Sequence, residues 1–237
     1  MTQKMTNWLV AGAVFFSLLA GIAGCSSRRN PYQLPLTWRA NQLKLQYDSN
    51  PQLQMVSLEG FIPHLKTDQR YTTTNNFTSQ ILYKEPGVFL RKAAAEPLKM
   101  VADSLAKLGL GLLVYDGYRP YAATLKMWEI VPDDRYAANP ANGSGHNRGI
   151  AVDLGLYNLT TGDTLPMPTG FDDFTEKAHH NYQQLPAEVL ANRATLKQVM
   201  EHFGFVALPT EWWHFYLPEP KRYPLMDVSF STFKKLQ

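Results

Sequence analysis

The chain has 237 residues, of which 45% are hydrophobic, 12% aromatic and only 18% charged. A composition this rich in apolar side chains supports a real core and excludes a largely disordered or low-complexity protein. The net charge of +3 comes from 23 basic and 20 acidic residues that are scattered along the chain, which argues against a nucleic-acid partner. The single cysteine, Cys25, excludes an intrachain disulfide, a thiolate zinc cluster and CxxC redox chemistry.

A long helix is predicted over 87–108, where apolar residues recur at helical spacing. Pro97 lies inside this segment and should kink or split the helix, and Gly109 supplies its end. Residues 110–118 form an apolar run of strand length, and a proline opens the helix that is predicted over 120–130.

The second half of the chain begins with residues 132–149, which are full of turn-forming residues and predict a loop. A strand follows over 150–158, and the clearest amphipathic helix covers 186–203. Two short strands are predicted over 205–208 and 211–217. Helices and strands mix without a repeating βαβ pattern, which indicates an α+β fold with an antiparallel sheet.

The amino terminus has the features of a secretory signal. Residues 9–23 are apolar and uncharged, but the run is shorter than the roughly 20 residues that span a membrane. The sequence Leu19-Ala20-Gly21-Ile22-Ala23-Gly24-Cys25 resembles a bacterial lipobox, in which Cys25 is acylated and becomes the first residue of the mature chain. The alternative is an uncleaved anchor helix with an incidental cysteine.

The lipobox resemblance implies a signal peptide over 1–24, a lipidated Cys25 with a polar tether over 25–38, and one domain over 39–237. Ser26 follows the cysteine, and no Asp stands there to suggest retention in the inner membrane. The expected location is therefore the periplasm, with a lipid anchor in the outer membrane.

Four residues have the chemistry of a metal-dependent hydrolase. His146, Asp153 and His214 offer nitrogen and oxygen donors, the three protein ligands that a catalytic zinc ion needs beside an open position for water. Glu211 would stay uncoordinated and accept a proton from that water, whose pKa zinc lowers to about 7.

Spacing alone leaves other interpretations open for these residues. His146 and Asp153 can equally be a loop histidine and a buried structural carboxylate. If residues 211–217 form a strand, Glu211 and His214 face opposite sides of it. Both reach one site only if Glu211 lies at the edge of a loop or a bulge redirects it.

Three motifs together resemble a known family. The segment Ser144-Gly145-His146-Asn147-Arg148-Gly149-Ile150-Ala151-Val152-Asp153 resembles the S-x-H-x-x-G-x-A-x-D signature of the zinc D-Ala-D-Ala peptidases. Glu211-Trp212-Trp213-His214 is similar to their E-W-W-H element, and Asp116-Gly117-Tyr118-Arg119-Pro120 is similar to the D-G-Y-R-P stretch of the VanX-type D-alanyl-D-alanine dipeptidases. The motifs occur in the family's order, and the resemblance runs from about residue 40 to 225.

This resemblance implies a central antiparallel sheet flanked by helices, with the zinc site in a cleft, as in the hedgehog/D-Ala-D-Ala peptidase-like fold. It implies one zinc ion per chain and a role for Arg119 in stabilising the oxyanion. Ser144 is expected to hydrogen-bond the substrate near one terminus, and Asp172 and Tyr71 are expected to receive its free ammonium group. For these three residues, a turn residue, a helix cap and a packed aromatic ring are the structural alternatives.

The function implied is zinc-dependent hydrolysis of D-alanyl-D-alanine to two D-alanines. Two alternatives remain: a D,D-carboxypeptidase that acts on peptidoglycan stem peptides, and a catalytically inactive lipoprotein that keeps the zinc. An ammonium receptor at Asp172 favours a free dipeptide over a stem peptide. The pair Glu211 and Arg119 argues against an inactive protein, since a structural zinc site needs neither residue. The sequence does not indicate an oligomeric state.

Overall fold

A computed structural model of the protein describes residues 30–237, so the predicted signal peptide and Cys25 lie outside the described residues. Pro35–Gln237 forms one compact unit. This unit begins four residues before the domain boundary expected at residue 39, because Leu36 and Thr37 are buried and pair with a strand near the carboxyl terminus. Within the described residues, no helix is long and apolar enough to cross a membrane.

The central sheet has five strands, in the order β3 (Lys66–Thr67), β5 (Leu110–Asp116), β6 (Ala151–Asn158), β8 (His214–Tyr216) and β7 (Val206–Ala207). β5 and β6 form its long antiparallel pair. Leu110 lies opposite Asn158 at one end of this pair, and Asp116 lies opposite Asp153 at the other. The β3 strand adds to β5 in parallel, while β8 and β7 continue the sheet antiparallel to their neighbours.

Two small sheets flank the central one. In the first, β2 (Met55–Ser57) pairs antiparallel with β4 (Phe89–Arg91). In the second, β1 (Leu36–Thr37) pairs in parallel with β9 (Leu225–Met226). The second pairing joins the two ends of the compact unit, residues that are far apart in the sequence.

Five α-helices complete the described part of the chain: α1 (Ala40–Ser49), α2 (Lys92–Ala106), α3 (Tyr121–Ile130), α4 (Ala187–His202) and α5 (Phe230–Lys234). The expected α+β fold with flanking helices is confirmed, and the central sheet is antiparallel except for its parallel β3–β5 pair. Both faces of the sheet are covered, and seven of the eight residues of β6, Ala151–Tyr157, are therefore buried. That burial brings Asp153 into the interior.

The helix predicted over 87–108 differs from the observed α2 at its start and at Pro97. It begins at Lys92, because Phe89–Arg91 pairs with β2 as a strand. The helix runs through Pro97 without a break, so the expected split is wrong, while the alternative of a kink stays a prediction. Pro97 removes one intrahelical hydrogen bond, and the buried face of α2, which includes Leu98, packs in the core and offsets that loss.

The strand predicted over 211–217 is shorter than expected. Only His214–Tyr216 pairs as β8, and Glu211 lies in the turn before it. In that turn the Glu211 carbonyl accepts a hydrogen bond from the His214 backbone N–H at 3.3 Å. The turn folds Glu211 back towards His214, so the two side chains do not face opposite sides as they would in a strand.

Candidate active site

The three predicted metal ligands lie together at one end of the central sheet. His146 Nε2 is 3.2 Å from His214 Nδ1 and 3.4 Å from Asp153 Oδ2, and His214 Nδ1 is 2.9 Å from Asp153 Oδ1. Asp153 and His214 are directly opposite each other in the β6–β8 pairing. The pairing register therefore fixes two of the three donors, and the loop before β6 brings in the third.

This cluster fits a tetrahedral zinc ion. Two donors at about 2.0–2.1 Å from one tetrahedral zinc stand about 3.3 Å apart, close to the separations of 3.2 and 3.4 Å from His146 Nε2. Nδ1 of His146 donates to the Gly117 carbonyl at 2.7 Å. Nε2 of His146 therefore presents its lone pair to the cluster. Burial opposes ionisation of Asp153, yet the His146 and His214 rings outweigh it and hold the pKa of its carboxyl below its usual range.

The loop that carries His146 is fixed by a fully buried asparagine. Asn147 Nδ2 donates to the Arg119 carbonyl at 2.9 Å and to Thr124 Oγ1 at 2.8 Å. Its Oδ1 accepts from the Ser144 backbone N–H at 3.0 Å, and its own N–H donates to Ser144 Oγ at 3.1 Å. One side chain thus ties together the segments that hold Ser144, His146 and Arg119.

Arg119 is buried beside the cluster and is oriented by a carboxylate. Its Nε and Nη2 donate to Asp116 Oδ2 at 3.0 and 2.8 Å, and Nη2 also lies 4.0 Å from Asp153 Oδ2. The Tyr83 hydroxyl donates to the same Asp116 carboxylate. The guanidinium lies 5.3 Å from the centre of the Tyr71 ring, which gives it a cation–π contact. Arg119 is therefore held as a fixed positive charge at the edge of the cleft.

Two further carboxyl groups line the same cleft. Burial raises the pKa of Glu211 to about 7, a value suited to taking up and releasing a proton near neutral pH. Burial also raises the pKa of Asp172 to about 8, with the charge of Asp153 adding to the effect. Asp172 Oδ1 accepts a hydrogen bond from the Tyr71 hydroxyl at 3.0 Å, while Oδ2 is buried with no hydrogen-bond partner within the described chain.

All eight site residues expected from the sequence line one cleft with a volume of about 320 Å³: Tyr71, Arg119, Ser144, His146, Asp153, Asp172, Glu211 and His214. They come from segments that span 144 positions of the chain, from Tyr71 to His214. A cleft of this size, lined by carboxyl groups and Arg119 as well as by Trp213 and Phe174, suits a small zwitterionic ligand.

A family model described as D-ala-D-ala dipeptidase, of the M15 peptidases, matches residues 51–235. The chain belongs to this family. The M15 peptidases are zinc enzymes, in agreement with the clustered donor atoms of His146, Asp153 and His214.

Three curated M15 relatives carry the name D-alanyl-D-alanine dipeptidase. The protein from Escherichia coli is 36% identical over 181 residues, which cover 76% of this chain and 93% of that protein. The protein from Enterococcus faecium is 32% identical over 70% of this chain and 94% of its own length. The protein from Streptomyces coelicolor is 33% identical over 68% of this chain and 90% of its own length.

Several residues of this M15 site have no role in the sequence-based interpretation. Asp116 lies in a motif quoted for the resemblance, but its contact with Arg119 depends on how the β5–α3 corner folds. Asn147 is likewise inside a motif, at a position that the signature leaves variable. Tyr136 and Phe174 form an edge-to-face pair at 5.1 Å on the cleft wall, and no spacing pattern signals that contact.

His179 and His180 lie outside the metal cluster. The ring of His180 packs edge-on against Phe215 at 6.1 Å, and burial lowers its pKa to about 4. The His180 backbone N–H donates to the Pro209 carbonyl. The ring of His180 therefore contributes to the packing around β8.

Proposed function

We propose that this protein hydrolyses the dipeptide D-alanyl-D-alanine to two D-alanines in a zinc-dependent reaction. The observation that carries the proposal is the unpaired Oδ2 of Asp172 in the cleft that also holds the His146, Asp153 and His214 cluster. A buried carboxylate oxygen without a partner is costly unless a cationic group of the ligand meets it. The amino-terminal ammonium of a free dipeptide is such a group, and an internal residue of a stem peptide has none.

His146, Asp153 and His214 would hold the zinc ion. When bound, the metal supplies an electrophilic centre that acidifies water and polarises a peptide carbonyl. Glu211 accepts the proton that the attacking water loses as its oxygen bonds to the carbonyl carbon. The same carboxyl then donates that proton to the amide nitrogen as the carbon–nitrogen bond breaks, so the leaving D-alanine departs as an amine.

Arg119 stabilises the negative charge that develops on the carbonyl oxygen during attack. Its guanidinium keeps one orientation because Asp116 accepts from two of its nitrogens, so little reorganisation is needed when the charge appears. Asp172 and Tyr71 receive the ammonium group of the substrate. Ser144 lies at the same cleft and offers a hydroxyl hydrogen to a substrate terminus.

The experiment is a hydrolysis assay of the full chain, purified in detergent, on D-Ala-D-Ala, L-Ala-L-Ala and a pentapeptide that ends in D-Ala-D-Ala. We expect turnover of the D,D-dipeptide, its loss with a chelator and its return with zinc. Activity that a chelator does not affect would refute the zinc-dependent mechanism. Release of D-alanine from the pentapeptide but not from the dipeptide would favour the D,D-carboxypeptidase, and zinc binding without turnover of any peptide would favour an inactive lipoprotein.

We also propose that the protein is acylated at Cys25 and anchored to the outer membrane, facing the periplasm. Support comes from the sequence: the apolar run over 9–23, the small residues before the only cysteine, and Ser26 after it. Labelling cells with a fatty-acid analogue tests this proposal. Label should enter the wild-type protein and not the Cys25→Ser variant, and it should fractionate with the outer membrane; equal labelling of both proteins would refute it.

A further inference from the structure

The guanidinium of Arg91, on β4, is fully buried and connects segments that are distant in the sequence. Nε donates to the Arg148 carbonyl at 2.8 Å, Nη1 to the Leu53 carbonyl at 2.6 Å and Nη2 to the Pro224 carbonyl at 3.0 Å. A longer contact of 3.4 Å joins Nη2 to Gln46 Oε1. One side chain thus contacts α1, the segment after it, the loop before β6 and the segment before β9.

All four of these acceptors are neutral oxygen atoms. Burial lowers the pKa of Arg91 to about 10, which still leaves the group charged at neutral pH. Removing such a charge from water costs several kcal/mol, and an apolar side chain of similar volume would fill the same space without that cost. The function of the charge therefore lies in the groups that it holds.

Two of the groups held by Arg91 lie two and three residues after the metal ligand His146. Nε bonds the carbonyl of Arg148, and the backbone N–H of Arg91 donates to the carbonyl of Gly149 at 2.8 Å. Gly149 has a φ of 70°, and a Cβ atom at that position would lie 3.2 Å from Arg91 Cγ. Arg91 therefore fixes two successive peptide groups and also packs against the turn between them.

The opposite side of the His146 loop is already held by Asn147 and by the Gly117 carbonyl. His146 thus lies between two sets of contacts, and Arg91 supplies the set on the Gly149 side. The ligand separations around His146 Nε2 leave little tolerance, because zinc–nitrogen distances vary by only about 0.2 Å. A shift of the Arg148 and Gly149 peptides would rotate or displace the ring.

We propose that Arg91 is a positioning residue for the metal site, which holds the Arg148 and Gly149 carbonyls so that His146 Nε2 faces Asp153 and His214. This inference rests on the proposed metal ligation by His146 and is independent of the identity of the substrate. Arg91, a buried cation on a flanking sheet, thereby contributes to the zinc affinity.

The test compares zinc affinity in the Arg91→Met and Arg193→Met variants of the full chain. Arg193 is the matched control, a buried arginine on α4 whose Nη1 donates to the His179 carbonyl at 2.9 Å. Zinc dissociation constants come from competition with a chromogenic chelator, and thermal unfolding of the metal-free proteins measures any general loss of stability. We expect Arg91→Met to weaken zinc binding by about 10- to 100-fold, the range for residues that orient a metal ligand. Arg193→Met should leave the zinc affinity unchanged.

Each other outcome has a distinct meaning. The inference would be overturned if the Arg91→Met variant folded with lower stability but bound zinc as tightly as the wild-type protein. It would also be overturned if Arg193→Met weakened zinc binding as much as Arg91→Met did. Failure of the wild-type protein to bind zinc would instead overturn the proposed metal site. If Arg91→Met does not fold, Arg91→Lys keeps the charge, although one ammonium group cannot serve all the carbonyls. Its zinc affinity should still be lower, and an unchanged affinity would overturn the inference.

Discussion

Replacement of Asp172 by Asn removes the charge that the proposed function assigns to the substrate ammonium. The variant keeps the side-chain volume and an oxygen that can accept from the Tyr71 hydroxyl. A hydrogen bond to a charged group contributes about 1.5–3 kcal/mol, so kcat/KM for D-Ala-D-Ala should fall by about 10- to 150-fold. Burial raises the pKa of Asp172 to about 8, so ionising it at pH 7 costs up to about 1.4 kcal/mol. This cost places the expected loss of kcat/KM nearer to 10-fold than to 150-fold. A zinc charge that lowers the pKa of Asp172 would move the loss back towards 150-fold.

The assay compares D-Ala-D-Ala with N-acetyl-D-Ala-D-Ala, which has no ammonium group. Asp172→Asn should reduce kcat/KM for the free dipeptide much more than for the blocked one. Asp173→Asn is the control, because the neighbouring Asp173 Oδ1 accepts from the Thr175 backbone N–H, a turn contact that an asparagine can keep. Equal losses on the free and the blocked dipeptide would refute the reasoning, since Asp172 would then support the site without recognising the amine.

Three further predictions follow from the same site. Glu211→Gln should lower kcat by about 10²- to 10⁴-fold while metal analysis still finds one zinc per chain; loss of the zinc would make Glu211 a ligand. Asn147→Ala leaves several buried partners unpaired and should lower the free energy of unfolding by about 2–4 kcal/mol, which urea denaturation measures; an unchanged urea midpoint would contradict this. Because the pKa of Asp172 is raised by burial, the folded metal-free protein keeps a proton that the unfolded chain releases near pH 4. The contribution of Asp172 to the free energy of unfolding should therefore fall as the pH rises from about 4 to 8, by up to about 1.4 kcal/mol per pH unit, and urea denaturation of Asp172→Asn should show that contribution missing.

Local patterns were sufficient for the elements whose residues pack as their periodicity suggests. The amphipathic helix expected over 186–203 is observed as Ala187–His202, and the strand expected over 150–158 is observed as Ala151–Asn158. The patterns failed where a distant partner decides the conformation. Phe89–Arg91 continues a helical apolar pattern, yet it becomes a strand because Met55–Ser57 pairs with it.

The candidate active site likewise divides into features that the sequence indicates and features that a distant contact decides. The motifs that contain His146, Asp153, Glu211 and His214, through their resemblance to the zinc D-Ala-D-Ala peptidases, were enough to expect a zinc hydrolase, whereas the spacing of these residues alone left other interpretations open. Whether Glu211 and His214 share a cleft was not decided by their spacing. A turn at Glu211–Trp213 settles it, stabilised by burial of the two tryptophans between these residues.

The sequence by itself therefore determined the chemistry of this protein, because ligand and acid–base properties belong to the side chains and the motifs place them in order. Only the tertiary structure decided which polar groups meet. Tyr71 and Asp172 are 101 positions apart and meet through their hydroxyl and carboxylate, and Arg91 reaches Pro224 across 133 positions. Such contacts depend on how sheets and loops pack in three dimensions, and no periodicity along the chain encodes them.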